Sequence, residues 1–166
     1  MEPAAAKPSF KPLSAYRPIL WAGGICGVLD GLTAVGLTVL AGSTPVRLFQ
    51  SIASGVLGQS AFRGGLSSAG LGVVLHFVVA LAAAAVYYAA SRRAALLNQH
   101  PILSGALFGA ALHVVMTFVV VPLSAIGPRP FVWSGFVILL VVHIVVVGPS
   151  IALTVRHFAK VERRQR

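Results

Sequence analysis

Acidic residues are nearly missing from this chain: Glu2, Asp30 and Glu162 stand against thirteen Lys and Arg in 166 residues. Charged residues of both signs reach only 10%, where a soluble domain carries about 25%. A fully water-solvated exterior is therefore excluded. Cysteine occurs once, at Cys26, so no intrachain disulfide can form and the redox compartment is not reported. Cys26 reads as a small packed hydrophobe. HExxH, CxxC, P-loop and nucleophile-elbow patterns are all missing, which removes the enzyme classes that carry those signatures.

What is present is apolar sequence: 57% of the chain is hydrophobic and its mean hydropathy is +0.90. Crossing a hydrocarbon core of about 30 Å takes about 20 apolar residues as a helix. Four runs qualify, at about 18–41, 66–91, 101–126 and 131–157. Helix is the expected state, because lipid offers the backbone no hydrogen-bond partner. The alternating ten-residue segments of an outer-membrane barrel are absent. Val39-Leu40-Ala41 offers a passable signal-cleavage end, but the run before it is too long and contains Asp30, so it reads as a permanent helix.

The net charge of +10 is distributed by topology. Lys7, Lys11 and Arg17 precede the first span, Arg92 and Arg93 follow the second, and Arg156, Lys160, Arg163, Arg164 and Arg166 close the chain. Only Arg47, Arg63 and Arg129 fall on the other side. Positive charge stays cytoplasmic, which predicts both termini inside. The lipid bilayer is the expected partner and nucleic acid is not. A homo-oligomer or a larger membrane complex stays open.

One domain is expected: a disordered Pro- and Ala-rich cytoplasmic tail over 1–17, a four-helix transmembrane bundle over 18–157, and a basic cytoplasmic tail over 158–166. In the first connection, Thr44-Pro45 reads as an N-cap followed by a first-turn proline. Leu48, Phe49, Ile52, Ala53, Val56 and Leu57 then recur at helical spacing. This predicts a short amphipathic helix over 45–58 on the outer face. Lying flat is expected over re-entry, which needs protein around the backbone. The Gly127-Pro128-Arg129-Pro130 turn should be tight, and Pro122 and Gly148-Pro149 should kink the third and fourth spans. Trp21, Trp133, Tyr87 and Tyr88 near span ends suit interfacial anchoring.

Small residues mark the inner faces. They are Gly23, Gly27 and Gly31; Ala69, Gly72, His76, Ala80, Ala83 and Tyr87; Gly105, Gly109, His113 and Thr117; and Gly135, Leu139, His143, Val147, Ser150 and Thr154. Each span carries one ionisable residue near its middle, and these four sit on or beside those faces. Counting 1.5 Å per residue from the cytoplasmic end puts Asp30 and His113 at about 18 Å, His143 at about 21 Å and His76 at about 22 Å. Asp30, His76, His113 and His143 are thus a candidate intramembrane polar site.

Several chemistries fit such a set. Three imidazoles and a carboxylate suit a metal, two facing histidines suit a haem iron, and an Asp–His chain can pass protons. A quinone or small-solute site is a further alternative. The structural alternative is that Asp30 pairs with a histidine, or that histidines bond carbonyls of neighbouring helices for about 1 kcal/mol each. His76 and His143, with Asp30 orienting one of them, are the expected pair. No catalytic residue and no particular cofactor follow.

The stretches GGICGVLDGLTA, PVRLFQSIASGVLG, LHFVVALAAAAVYYAASRR, VVPLSAIG and HIVVVGPSIAL resemble a set of uncharacterised bacterial four-span inner-membrane proteins. The resemblance covers most of the chain after its N-terminal tail. It implies the bacterial inner membrane and carries over no activity or site residue. The reading reached is an all-α integral membrane bundle, non-enzymatic, whose polar core orders the bundle or serves a complex. The alternative is a proton, ion, metal, haem or quinone site at the quartet.

Overall fold

The computed structural model describes residues 16–164, with side chains through Val161. The tail expected at 1–17 lies outside them except for Tyr16 and Arg17, as does the end of the basic tail at 158–166. Among the described residues every regular element is helical. Four helices are long and apolar enough to span a membrane: α1 (Tyr16–Leu40), α3 (Gly65–Arg93), α5 (Pro101–Leu123) and α6 (Trp133–Val161). Between them lie α2 (Pro45–Leu57), a 3-10 helix (Gly58–Arg63) and the short α4 (Leu96–Gln99). The chain is an all-α four-helix bundle and a small multi-pass integral membrane protein. Its outer faces are apolar, with Leu20, Leu32, Val74, Val86, Ile102 and Val145 exposed, which is the composition lipid contact requires.

Local chemistry sets the ends of these helices. α1 stops where Gly42 takes a left-handed backbone (φ 75°), and the Ser43 N–H donates to the Thr38 carbonyl at 3.0 Å, a glycine C-cap. α2 begins as its sequence predicts: the Thr44 hydroxyl accepts from the Arg47 N–H at 3.2 Å and Pro45 fills the first turn.

Glycines govern how close the helices come. Along α1 the ridge Gly23, Gly27 and Gly31 receives Leu81, Phe77 and His76 of α3 in turn. α5 and α6 meet backbone to backbone, since a Cβ on Gly105, Gly109 or Gly148 would overlap the facing helix. The core is shared by α1, α3 and α6 through Ala22, Cys26, Ala84, Tyr87, Ile151 and Val155. α1 packs on both α3 and α6, and α6 packs on α5. α3 and α5 meet through side chains at the end away from α2, where the Tyr87 and Phe108 ring centroids lie 5.1 Å apart. There the Tyr87 and Ser104 hydroxyls are 2.9 Å from each other, with the Leu97 carbonyl as a common acceptor. Tyr87 is therefore a core residue and not the interfacial anchor expected from its place near a span end, because its hydroxyl finds partners inside the protein.

α2 is wedged among protein elements. It crosses α3 where a Cβ on Gly72 would overlap the Phe49 carbonyl. The connection after α5 also holds it: the Ala125 N–H donates to the Gly55 carbonyl at 2.9 Å, and Arg129 Nη2 donates to Ser54 Oγ at 3.0 Å. Its buried side is Gln50, Ala53 and Ser54; Leu48, Phe49 and Ile52 are half-buried, and Val56 and Leu57 point away. The centre of the packed face is thus small and polar, flanked by the half-buried Leu48, Phe49 and Ile52.

The prolines act through π-turns. Met116–Val120 precedes Pro122, and His143–Val147 precedes Pro149. A proline removes an N–H and crowds the carbonyl four residues back, and a wider turn absorbs both effects. Each π-turn also inserts one residue into the helical register. This corrects the expected inner face of the fourth span: beyond Val147 the buried positions are Ile151 and Val155 instead of Ser150 and Thr154.

Candidate intramembrane site

Asp30, His76, His113 and His143 all line one half-open cleft of about 300 Å³ between the spans. Cys26 from α1, Ile52 from α2, Val79 and Ala83 from α3, Leu112, Met116 and Thr117 from α5, and Leu139 and Val147 from α6 complete its wall. Both π-turns border it, and such turns recur at functional sites because they displace side chains from the regular helical positions.

The four residues are bonded very differently. His76 Nε2 donates to the Gly27 carbonyl of α1 at 2.8 Å. A carbonyl can only accept, so this nitrogen carries the hydrogen and the neutral ring presents Nδ1 as a lone pair. Edge-on rings of Phe49 and Phe77 hold it, at centroid distances of 6.4 and 5.5 Å. Gly31 makes room for the ring, since a Cβ there would stand 3.3 Å from Nε2.

His143 Nδ1 donates to the Leu139 carbonyl of its own helix at 2.8 Å, which leaves Nε2 as the lone pair. His113 is 4% exposed, and its buried Nε2 has no hydrogen-bond partner. Its ring lies 4.8 Å from those of His143 and Phe136, centroid to centroid. Asp30 is half-buried and makes no hydrogen bond or ion pair among the described residues.

The expected pairing is corrected by this geometry. His143 neighbours His113 and not His76, because His76 is turned toward α1 by the Gly27 carbonyl while the Gly109–His143 backbone approach draws α5 and α6 together. Among the described residues no three His, Cys, Asp or Glu side chains are grouped to hold one metal ion. The His113 and His143 rings are tilted by 48° at 4.8 Å. A haem iron held from both sides needs opposed, in-line nitrogens each about 2 Å from the metal, and this arrangement does not provide them.

The quartet could be chosen from the sequence because an ionisable residue inside an apolar run stands out. Cys26, Ile52, Met116 and Thr117 could not be assigned to a cleft that way. Their only signal was proximity to a mid-span charge or a downstream proline. No family model, curated protein or solved structure matches the chain, so the functional reading rests on its own residues.

Proposed function

We propose that this is a non-enzymatic binding protein of the bacterial inner membrane, with both termini cytoplasmic, whose mid-membrane cleft receives a small molecule or ion. The observation that carries this is the bonding imbalance. His76 and His143 are bonded to carbonyls, whereas the Asp30 carboxyl at the same cleft has no hydrogen bond or ion pair among the described residues. An unpaired polar group in a low-dielectric interior costs several kcal/mol. A bundle needing polar contacts only for packing would have paired it. His76 and His143 serve packing; Asp30 is the group left for a partner. Catalysis is not part of the reading, because the sole thiol, Cys26, is buried and directed at the Val147 carbonyl at 3.8 Å.

The cleft is tested by introducing Thr117→Cys into a Cys26→Ser background and treating membranes with N-ethylmaleimide. Labelling should be complete within minutes at Thr117 and absent from a lipid-facing control, Val137→Cys. Equal labelling of both, or of neither, would mean that no chamber exists. Orientation is tested separately: reporter fusions after Arg166 and at Gln59 should report opposite sides, with the C-terminus cytoplasmic.

A further inference from the structure

The hydrogen-bonding character of the cleft points to one ligand class, and this step rests on the reading of the cleft as a binding chamber. Fixing the His76 proton on Nε2 and the His143 proton on Nδ1 leaves lone pairs at His76 Nδ1 and His143 Nε2. The Asp30 carboxylate is an acceptor only. Acceptors therefore outnumber donors around the cleft. Asp30 is also the one acidic residue among those with described side chains, and no Lys or Arg lines the cleft. No Lys or Arg side chain lining the cleft therefore faces its carboxyl.

The rest of the wall is mostly aliphatic, through Ile52, Val79, Leu112, Leu139 and Val147, with the soft Met116 thioether, the Cys26 thiol and the Thr117 hydroxyl. The volume of about 300 Å³ stands at the lower end of small-molecule pockets, which run from about 300 to 1,000 Å³.

From these observations we infer that the cleft binds a small lipophilic amine in its protonated form, with its N–H groups directed at Asp30 and the imidazole lone pairs and its apolar body against the aliphatic wall. An ammonium supplies the two things the cleft lacks, hydrogen-bond donors and positive charge. A neutral polyol supplies only the donors. A bare metal cation asks for several converging oxygen or nitrogen ligands, and no such group of side chains exists among the described residues. The groups facing the ammonium are Asp30 and Cys26 from α1, His76 from α3, His113 from α5 and His143 from α6, with uncharged Ile52 from α2.

Calorimetric titration of the full chain in lipid nanodiscs tests this with three probes sharing one phenethyl body: phenethylamine, its N-trimethylated derivative and phenethyl alcohol. At pH 7.5 phenethylamine should bind saturably, and at least tenfold more tightly than either of the others. Asp30→Asn keeps a hydrogen-bonding side chain and removes the charge, so it should weaken phenethylamine binding at least tenfold and leave the alcohol unchanged. The three-probe comparison on the native chain keeps the test independent of whether the variant folds. Equal binding of amine and alcohol, or undiminished binding to folded Asp30→Asn, would each overturn the assignment. Equal binding of the trimethylated probe would overturn the role given to the N–H donors. Should N-ethylmaleimide reach Thr117→Cys while no amine binds, the ligand class falls and the chamber stands; should neither occur, both fall.

Discussion

Within the same two helices, α5 and α6, one stretch is sealed and the next faces an open cleft. At Gly105, Gly109 and Gly148 the backbones touch and no side chain fits between them. At His113, Met116, Thr117, Leu139 and His143 both helices border empty volume. Composition alone does not separate the two stretches, since both are strongly apolar. What differs is side-chain size at the contact and the pitch of the helix. Glycine brings backbones together, and the proline-linked π-turns then widen each helix and rotate its next residues. Tight contact is thus used to hold an unsatisfied polar space in place.

The largest effect is expected where the contact is tightest. Gly109→Leu places a side chain against the His143 carbonyl, with no flexible neighbour to yield. Overpacking of this kind costs about 1–3 kcal/mol and occasionally more. We expect the variant to lose its folded fraction in detergent unfolding monitored by circular dichroism. Near-native stability would show that the α5–α6 seam tolerates separation.

An intermediate effect should distinguish two histidines at similar depth. His76→Ala removes the donor from the Gly27 carbonyl and the ring packed between Phe49 and Phe77, and should destabilise by about 1–3 kcal/mol. His113→Leu removes a ring whose buried Nε2 has no hydrogen-bond partner and whose recorded bond is to the Phe136 backbone, so it should destabilise less than His76→Ala. Unfolding midpoints in one detergent series measure both. If His113→Leu were the more damaging, its nitrogen would have to be satisfied by the protein, and the contrast between the two histidines would collapse.

The smallest effect concerns pitch. Pro122→Ala restores an N–H and relieves the crowding that accompanies the Met116–Val120 π-turn. Stability should move by under about 1 kcal/mol, while thiol labelling at Thr117→Cys should slow several-fold as α5 tightens toward regular geometry. Unchanged labelling would separate the π-turn from the proline.

The spans, the capped start of α2 and the glycine faces could be read from sequence because length, turn chemistry and small-residue spacing each have a direct physical meaning. Gly23, Gly27, Gly72, Gly105 and Gly109 all lie at close contacts as their spacing implies. The fourth span shows where that reading stops. A seam counted at regular helical spacing leaves Gly135 in open space, meets the cleft or core at Leu139, His143 and Val147, and is one residue out afterwards, because the inserted residue of a π-turn has no local sequence mark apart from the proline behind it. Which histidines meet was equally beyond the sequence, since that depends on how α1 and α5 rotate against their neighbours.

The side of the cleft between α3 and α5 is fixed at both ends. Beyond one end, Tyr87, Phe108 and Ser104 join the two helices; beyond the other, α2 rests on Gly72 and is tied to the connection after α5 through Gly55 and Ser54. Along α3 these fastenings are fifteen residues apart, a height of about 22 Å. The gap is therefore a window in a frame: its height is set by the fold, and the two helices can part only by bowing between the fastenings. Under the proposed reading, such an opening would admit a guest by its width and be indifferent to a tail that trails into the surrounding lipid.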